Sequence, residues 1–317
     1  MGSREAVAMV KIDLITGFLG AGKTTFLKKY ADFAMYQVKK STKGNLAEFD
    51  KALYEDEKHD RQMHLEFYQL IEKEQLTYHF QPILSAKNGE IIAYEALMRS
   101  QLATLKNPEM ILRIAREENK LEDVERICIF KSTETFDQLR KNKLVKEDAL
   151  LFINSIASVS LNDEDRERFH RYFSHIQSQI VVEVTEEENM SEEALIRKRE
   201  TKGFSGMFAL DDYGSGYNTE INLLNLSPKY IKIDLTIVRN IDKDFDKQQL
   251  VSNIVEYAHQ REGYIIAEGI ETKEELLKVL ELGVDYLQGY YLSYPQLNPQ
   301  EVSNESIKTI ENYWKKR

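Results

Sequence analysis

Residues 208–212 read Phe-Ala-Leu-Asp-Asp, an apolar run that ends in two carboxylates. Other short apolar runs also carry a single polar or charged residue at or near their end. They are IIAYEALMR (91–99, with Glu95 and Arg99), LLFIN (150–154), IVVEV (180–184), YIKID (230–234), YIIAE (264–268) and DYLQ (285–288). Buried strands separated by amphipathic segments, each with a functional group near its C-terminal end, are typical of a TIM-type barrel with its site at that face. The pattern therefore predicts an α/β fold and an enzyme.

The composition is that of a soluble globular protein. Of the 317 residues, 42% are hydrophobic and 30% are charged. A barrel of ~250 residues with a short extension would use almost all of this length. No apolar stretch reaches the ~20 residues that a membrane-spanning helix needs, and the first residues lack the pattern of a secretory signal. Cys128 is the single cysteine, which excludes a disulfide framework or a thiolate zinc site. We expect a cytoplasmic protein without a membrane partner.

The charge balance argues against long nucleic acids as partners. With 43 basic and 53 acidic residues, the formal net charge is −10. A broad surface for phosphate backbones would need clustered lysines and arginines. A small anionic ligand is compatible with this acidity if divalent cations neutralise the local carboxylates.

The first sixty residues differ from the rest. Residues 17–25 satisfy the G-x-x-x-x-G-K-[ST] pattern of a phosphate-binding loop and resemble the N-terminus of CobW-type GTPases, in which Gly22, Lys23 and Thr24 would contact phosphate and Mg²⁺. A P-loop domain typically needs roughly 100 residues or more and a second acidic Mg²⁺ ligand, which do not fit before the barrel begins. Residues 30–50 resemble the closing helix and strand of a GGDEF diguanylate cyclase domain. We interpret 1–60 as an extension of such fragments, with a linker helix within 46–74, and 61–317 as the barrel.

A tight turn opens the barrel. The Asn88-Gly89 pair lies between LTYHFQPILS (76–85) and IIAYEALMR (91–99), so the first two strands should form an antiparallel hairpin. Further predicted strands lie at 149–156, 180–186, 207–212, 229–234, 264–268 and 285–290. Predicted helices lie at 107–118, 121–141, 162–178, 191–203, 244–261, 273–282 and 299–315.

Seven separated motifs occur in the order found in EAL-domain cyclic di-GMP phosphodiesterases, which the chain resembles over residues 75–295. The motifs are Glu95-Ala96-Leu97 with Arg99, Asn154, Glu183, Asp211-Asp212-Tyr213-Gly214-Ser215-Gly216, Lys232 in Tyr-Ile-Lys-Ile-Asp, Ala267-Glu268-Gly269-Ile270-Glu271-Thr272, and Gln288-Gly289-Tyr290. The resemblance implies a modified (βα)₈ barrel with one antiparallel strand. It also implies hydrolysis of cyclic di-GMP to linear pGpG.

That reaction explains the types of residue in the motifs. A phosphodiester is unreactive, and two divalent metals ~3.5–4 Å apart can activate water and stabilise the phosphoryl oxygens. Mg²⁺ or Mn²⁺ prefers oxygen ligands such as carboxylates and amides. By the resemblance, Glu95, Asn154, Glu183 and Asp211 would hold the first metal. Asp211 would bridge to a second metal, which Asp212 also serves.

The resemblance also assigns residues around the metals. Lys232 would point at the attacking water or the phosphate. Glu268 would act either as general base or as support for the second metal, and the sequence leaves both roles open. The predicted contacts to substrate or to the ordered cluster are Arg99 to the phosphate, Gln81 to a guanine or an outer ligand, and Glu271 and Gln288 to the metal cluster and its waters.

The segment after the paired aspartates resembles the regulatory loop of the family. That loop usually reads Asp-Asp-Phe-Gly-Thr-Gly, whereas here Tyr213, Gly214, Ser215 and Gly216 follow the aspartates. Glu186 matches the acidic residue that anchors this loop in active members. By analogy with the family, we expect a homodimer in which the loop senses the neighbouring copy.

Each single residue also has a structural interpretation. Lys232 and Asp234 could form a surface pair, Asn154 could form a turn, and Glu268 could start a helix. Charges at the ends of many apolar strands together favour a site, because unpaired charge there is costly. Two alternative functions are a catalytically silent EAL receptor for cyclic di-GMP and, less in keeping with the sequence, a P-loop GTPase or metallochaperone.

Overall fold

The computed structural model describes residues 51–185, 207–215, 223–224, 226–299 and 302–317. The predicted phosphate loop with Gly22, Lys23 and Thr24, the cyclase-like segment 30–50 and the predicted helix at 191–203 lie outside the described residues. The chain divides into two compact units, Met1–Glu66 and Phe67–Arg317. Helix α1 (Lys51–Lys73) begins in the first unit and agrees with the predicted linker helix from residue 51 onward.

Eight strands close into a barrel, which confirms the predicted fold class. The strands are β1 (Leu76–Ser85), β2 (Ile91–Ser100), β3 (Leu150–Asn154), β4 (Ile180–Thr185), β5 (Met207–Tyr213), β6 (Tyr230–Ile233), β7 (Tyr264–Ala267) and β8 (Tyr286–Leu287). Neighbours follow chain order, with β1 antiparallel to β2 and to β8 and all other pairs parallel. The single reversed strand is the one that the sequence predicted.

The turn between β1 and β2 has the geometry that its sequence demands. Gly89 has a φ of +72°, and its N–H donates to the Ser85 carbonyl at 2.8 Å. The Asn88 side chain accepts from the N–H of Glu90 at 3.1 Å. A Cβ atom at position 89 would lie 2.9 Å from the Ile307 side chain in the last helix, so glycine also permits close packing there.

Helices lie between the strands and after the last one. They are α2 (Pro108–Glu117), α3 (Leu121–Lys141), α4 (Asp163–Phe173), α5 (Leu235–Val238), α6 (Phe245–His259), α7 (Lys273–Glu281) and α8 (Asn304–Lys315). Side chains of Asn107, Asn162, Asp244, Thr272 and Ser303 cap the N-termini of α2, α4, α6, α7 and α8. No helix in the described part of the chain combines the length and apolar character needed to cross a bilayer.

Two predicted elements are shorter than expected. The helix predicted at 162–178 ends at Phe173, and a short 3₁₀ turn at Gln177–Gln179 leads into β4. The strand predicted at 285–290 pairs only over Tyr286–Leu287. After it the chain curls into a turn, in which the N–H groups of Leu292 and Ser293 both donate to the Gly289 carbonyl at 3.0 Å. The alternation of apolar and polar residues cannot show where hydrogen bonds within a turn replace the hydrogen bonds between strands.

The strands alternate between two separate apolar cores. The outer core lies between the strands and the helices and includes Val182, Leu210 and Ile231. The inner core contains buried strand residues alone, and we name it the apolar layer together with the partly buried Tyr286 that packs against it. Its members are Ile83, Ala93, Phe152, Val181, Ala209, Tyr230, Ile266 and Tyr286, one from each strand. Successive side chains of a strand face opposite sides, so one set fills the barrel and the other faces the helices.

Candidate active site

A second layer of side chains lies immediately above the apolar layer, towards the C-terminal ends of the parallel strands. Each residue of this layer is two positions along the chain from the apolar-layer residue of the same strand, so the two side chains point to the same side of the sheet. Six of the eight lie within their strands, and Glu268 and Gln288 directly follow β7 and β8. This polar layer consists of Gln81, Glu95, Asn154, Glu183, Asp211, Lys232, Glu268 and Gln288. All eight are site residues predicted from the sequence, and the barrel brings them together.

Lys232 is at the centre of the polar layer. Its side chain is 1% exposed, which excludes the surface pair with Asp234. Asp234 instead caps α5 through the N–H of Thr236 at 2.9 Å. The Lys232 Nζ atom lies 2.6 Å from Glu183 Oε1, 2.8 Å from Glu268 Oε1, 2.9 Å from Asp211 Oδ1 and 3.5 Å from Glu95 Oε2. One ammonium group therefore faces four carboxylates.

This excess of carboxylates is visible in their protonation. Burial, together with the neighbouring Glu95 and Asp211, raises the pKa of Glu183 well above its ordinary value despite the nearby ammonium. Burial likewise raises the pKa of Glu268 and of Asp211. Burial would lower the pKa of Lys232, but the surrounding carboxylates, led by Asp211, raise it well above its ordinary value. Lys232 is held as a cation, and the carboxylates need further positive charge to ionise together.

Asp212 joins this group through an irregularity in β5. The register of β5 and β6 shifts between Leu210 and Tyr213, and Asp212 has a φ of 55°. The bulge lets two consecutive aspartates contribute carboxylate oxygens to one place, which a regular pleat would prevent. Burial and the adjacent Asp211 raise the pKa of Asp212 to about 6.

The carboxylates form two groups suited to metal ions. One contains Glu95, Glu183 and Asp211, and the other contains Asp211, Asp212 and Glu268; within each, one oxygen per residue lies within 4.8 Å of the others. Asp211 belongs to both. The Oε2 atom of Glu183 is buried without a hydrogen-bond partner among the described residues. Clustered carboxylate oxygen atoms of this kind fit divalent cations that prefer oxygen ligands.

Amide side chains orient Glu95 within the polar layer. Asn154 Nδ2 donates to Glu95 Oε1 at 3.2 Å, and Gln288 Nε2 donates to Glu95 Oε2 at 2.6 Å. Gln288 also donates to Gln81 at 3.2 Å, and Gln81 donates to the Ser293 carbonyl at 3.1 Å. Asn154 and Gln288 therefore both direct an amide nitrogen at Glu95, one to each carboxylate oxygen.

Two predicted substrate or cluster contacts lie further out. Arg99 is half-buried in β2, four residues beyond Glu95, and its guanidinium donates to the Met98 carbonyl at 2.8 Å. Glu271 is exposed and forms a two-pronged ion pair with Arg239. That pair holds the pKa of Glu271 below its ordinary value. The structure thus places Glu271 on the loop after β7, paired to an arginine rather than directed at the carboxylate groups.

The predicted regulatory loop is described in part. Tyr213 is buried, Gly214 has a φ of +100°, and the N–H and hydroxyl of Ser215 both donate to the Asp212 carbonyl, at 3.1 and 2.9 Å. The loop therefore begins with contacts to the backbone of the second aspartate. Glu186 and Gly216 lie outside the described residues.

Sequence reasoning missed two buried carboxylates beside the site. Glu275 in α7 accepts from the N–H groups of Glu271, Thr272 and Asn240 at 2.9–3.1 Å, which ties the loop after β7 to the loop after β6. The Thr272-x-x-Glu275 spacing is a capping-box signal that could have revealed it. Glu125 in α3 accepts from the N–H of Ile156 and from the Ser155 hydroxyl. No local pattern marks that contact, because the partners are 30 and 31 residues apart.

Comparison with known proteins agrees with this geometry. The model of the EAL domain matches residues 64–295. A bifunctional diguanylate cyclase/cyclic di-GMP phosphodiesterase, MucR of Pseudomonas aeruginosa, is 28% identical over 307 residues, covering 92% of this chain and 44% of that protein. The chain spans less than half the length of this and other curated relatives that it matches.

Solved structures share the barrel. The PaMucR phosphodiesterase in complex with c-di-GMP has a TM-score of 0.63 at 26% identity, and the alignment covers 74% of this chain and 97% of the PaMucR chain. Klebsiella pneumoniae BlrP1, in a manganese/cy-diGMP complex, has a TM-score of 0.60 at 24% identity, and the alignment covers 70% of this chain and 56% of the BlrP1 chain. At the lower identity the likeness concerns the fold alone.

Proposed function

Because the chain belongs to the EAL domain family over residues 64–295, we propose that it is a phosphodiesterase that hydrolyses cyclic di-GMP to linear pGpG with two divalent cations. The observation that carries this proposal is the pair of carboxylate groups that share Asp211 around Lys232. A P-loop GTPase has no comparable support, since its motif lies outside the described residues.

The residues of the polar layer fit two Mg²⁺ or Mn²⁺ ions. Glu95, Asn154, Glu183 and Asp211 would hold the first, and Asp211, Asp212 and Glu268 would surround the second. The pKa values of Glu183, Asp211, Asp212 and Glu268 are all raised, so the metal-free site lacks positive charge. Bound divalent cations supply that charge, polarise the phosphate and make a water molecule more acidic.

The chain's own groups would then perform the steps around the phosphorus atom. Lys232 remains an ammonium and would donate a hydrogen bond to the attacking water oxygen or to a phosphoryl oxygen. Glu268, which lies 2.8 Å from Lys232, would accept the proton of the water. The water oxygen forms a new bond to phosphorus while the bond to one ribose 3′ oxygen breaks. The released 3′ oxygen would take up one proton from solvent, which balances the proton that Glu268 accepts, and the product would be pGpG with a terminal 5′ phosphate.

Residues at the rim would bind the rest of the substrate. Arg99 would leave the Met98 carbonyl to contact a phosphate, which a guanidinium can do in a two-pronged manner. Gln81 and Gln288 would hold Glu95 in place and order the waters of the cluster. Glu271 would act on the cluster through the loop after β7, which the contacts of Glu271 with Arg239 and of Glu275 with Asn240 hold to the loop after β6.

The oligomeric state and the cellular location of the protein are proposed from the sequence. A homodimer and a cytoplasmic protein are the expectations that follow from the family resemblance and from the composition. Light scattering of the purified chain tests the first, with a monomer at all concentrations contradicting it. Fractionation of cells that express the chain tests the second.

The decisive experiment is turnover with a matched pair of variants. The full chain, freed of metal with EDTA, is incubated with cyclic di-GMP and either Mg²⁺ or Mn²⁺, and pGpG is measured by chromatography. Glu95→Ala should lose more than about 100-fold, since even outer residues of metal sites often cost 10–100-fold. Glu90→Gln removes an exposed carboxylate that pairs with Lys146 and should keep wild-type turnover. Binding of cyclic di-GMP without any pGpG would instead indicate a silent receptor. Full turnover in Glu95→Ala would contradict the ligand assignment.

A further inference from the structure

Glu125 is a buried carboxylate on a helix, and it points at the loop after β3. Its side chain is in the middle of the first half of α3 and the residue is 2% exposed. It accepts a hydrogen bond from the backbone N–H of Ile156 at 2.9 Å and another from the Ser155 hydroxyl. Burying a carboxylate is costly unless it is hydrogen-bonded in this way. A glutamate at this position therefore does more than fill space in the core.

The two donors are the residues that follow Asn154 directly. The N–H of Ser155 donates to the backbone carbonyl of Glu183 at 3.0 Å. The exit of β3 is therefore held on two sides, by the carboxylate of Glu125 and by the backbone of β4. This attachment fixes the place at which the Asn154 amide donates to Glu95 at 3.2 Å. Any shift of residues 155 and 156 would carry Asn154 with it.

Asp137 on the same helix shows what a structural carboxylate looks like. It is 4% exposed and bonds to Lys141 at 2.7 Å and to His175 at 3.0 Å. Lys141 is one turn away on α3 and His175 lies in the loop after α4, so these contacts join outer elements of the barrel. Glu125 differs because its partners adjoin a residue of the polar layer.

We propose that Glu125 is a positioning residue that acts through Ser155 and Ile156 to aim the Asn154 amide oxygen at the first divalent cation. This inference rests on the proposed function, in which Asn154 is a metal ligand. A carboxylate suits the task because its two oxygens accept from two donors at once. Its effect is on metal affinity, because it does not touch the substrate.

The experiment measures Mn²⁺ affinity by titration calorimetry on the full, metal-free chain. Glu125→Leu should weaken Mn²⁺ binding about 10-fold or more, as is typical when the support of a metal ligand is lost. Glu125→Gln keeps one accepting oxygen for the Ile156 N–H and should recover most of the affinity. Asp137→Leu is the matched control, since it removes an equally buried carboxylate from the same helix and should leave the affinity at the wild-type value.

A double-mutant cycle separates positioning from general destabilisation. In an Asn154→Ala background, Glu125→Leu should have no further effect on Mn²⁺ affinity, because the group that Glu125 positions is gone. Ser155→Ala removes one of the donors to Glu125 and should weaken binding slightly. Its effect, compared in the wild-type and Asn154→Ala backgrounds, keeps the test informative if Glu125→Leu does not fold.

The outcomes distinguish the inference from the proposed function. If Glu125→Leu and Asp137→Leu weaken Mn²⁺ binding equally, or if the effects of Glu125→Leu and Asn154→Ala simply add, the positioning role is overturned. If the wild-type chain binds no Mn²⁺, the proposed function fails and the inference fails with it. Wild-type binding with a selective loss on Glu125→Leu supports both.

Discussion

The apolar layer and the polar layer occupy the same strands, two residues apart, yet they obey opposite rules. In the apolar layer the Phe152 ring packs edge-on against the Tyr230 ring, with 5.1 Å between the ring centroids. Tyr264, which packs against this layer, stacks on Tyr230 with 5.7 Å between the centroids. These rings stabilise the layer through apolar packing, which needs no counter-ion. In the polar layer one ammonium serves four carboxylates, and Glu183 retains a buried oxygen without a hydrogen-bond partner among the described residues.

The difference shows how the barrel can hold a strained site. Buried like charges raise the free energy of the folded state, whereas the close-packed layer below lowers it. The lower layer also fixes the strands, so the upper side chains cannot separate to relieve their repulsion. The polar layer is therefore stable only as part of the barrel, and it should respond to cations while the apolar layer should not.

The largest expected effect comes from removing the cation of the polar layer. Lys232→Met removes the ammonium that contacts four carboxylates, and breaking a buried ion pair costs about 3–5 kcal/mol. The free energy of unfolding, measured in urea with EDTA, should fall by that amount. Added Mn²⁺ should restore much of it by neutralising the same carboxylates. A loss that Mn²⁺ does not reduce would show that the carboxylates are not what Lys232 stabilises.

A comparable change in the apolar layer should behave differently. Phe152→Ala empties a fully buried site, and such substitutions cost about 3–5 kcal/mol. Because the lost contacts are apolar, Mn²⁺ should add to this variant only what it adds to the wild type. Phe152→Leu, which keeps most of the volume, should lose less. Recovery by Mn²⁺ as large as in Lys232→Met would mean that the two layers are not separate.

The sequence predicted the barrel and the residues of the polar layer better than it predicted the contacts between side chains. Polar residues at the ends of apolar runs and the resemblance to the EAL family named all eight of those residues, and the Asn88-Gly89 turn predicted the antiparallel pairing of β1 with β2. The meeting of Lys232 with Glu95, 137 positions earlier in the chain (232 − 95), depends on strand register and barrel closure, which no local pattern encodes. The bulge that turns Asp212 inward is likewise a product of pairing between strands.

Helical carboxylates were the hardest to predict. Glu125 and Glu275 occur in charged helices, where glutamate usually faces solvent, yet both are 1–2% exposed. Their partners include backbone N–H groups of distant loops, from Ile156 to Glu125 and from Asn240 to Glu275, and backbone donors leave no trace in residue identity. The pairing of Glu271 with Arg239 is similar, since two exposed side chains 32 residues apart meet only when the loops after β6 and β7 are adjacent.

A smaller effect is expected when Mn²⁺ is added to the unaltered protein. Ligands that bind only the folded state stabilise it by about 2.7 kcal/mol at 100 times their Kd. The unfolding free energy in urea should rise by about that amount relative to EDTA, and Mg²⁺ should act in the same direction. Asp211→Asn removes the negative charge and one of the two oxygens of the residue common to both carboxylate groups, and it should abolish most of this gain. An unchanged gain in Asp211→Asn would place the stabilising ion elsewhere.

The smallest expected effect is the pH dependence of the metal-free protein. The pKa of Asp212 rises from an ordinary value of 3.8 to about 6 in the folded state, and those of Glu183, Asp211 and Glu268 are raised as well. A raised pKa means that the folded state holds a proton that the unfolded state releases, so this contribution is fully present below the unfolded pKa. It is lost as the pH rises from about 4 through the folded value near 6.

In EDTA, the unfolding free energy should therefore fall across this range of pH, and Asp212→Asn, which cannot ionise, should show a shallower decline. With Mn²⁺ the trend should reverse, because protons compete with the cation for the same oxygens and metal affinity rises as they leave. Asp137 provides the contrast, since its lysine and histidine partners lower its pKa and its contribution to stability is lost towards acid pH. The contradicting result is an unfolding free energy in EDTA that increases steadily from pH 4 to 6 in both the wild type and Asp212→Asn. The polar layer would then carry no excess of negative charge, and its carboxylates would titrate like Asp137 and not in the opposite sense.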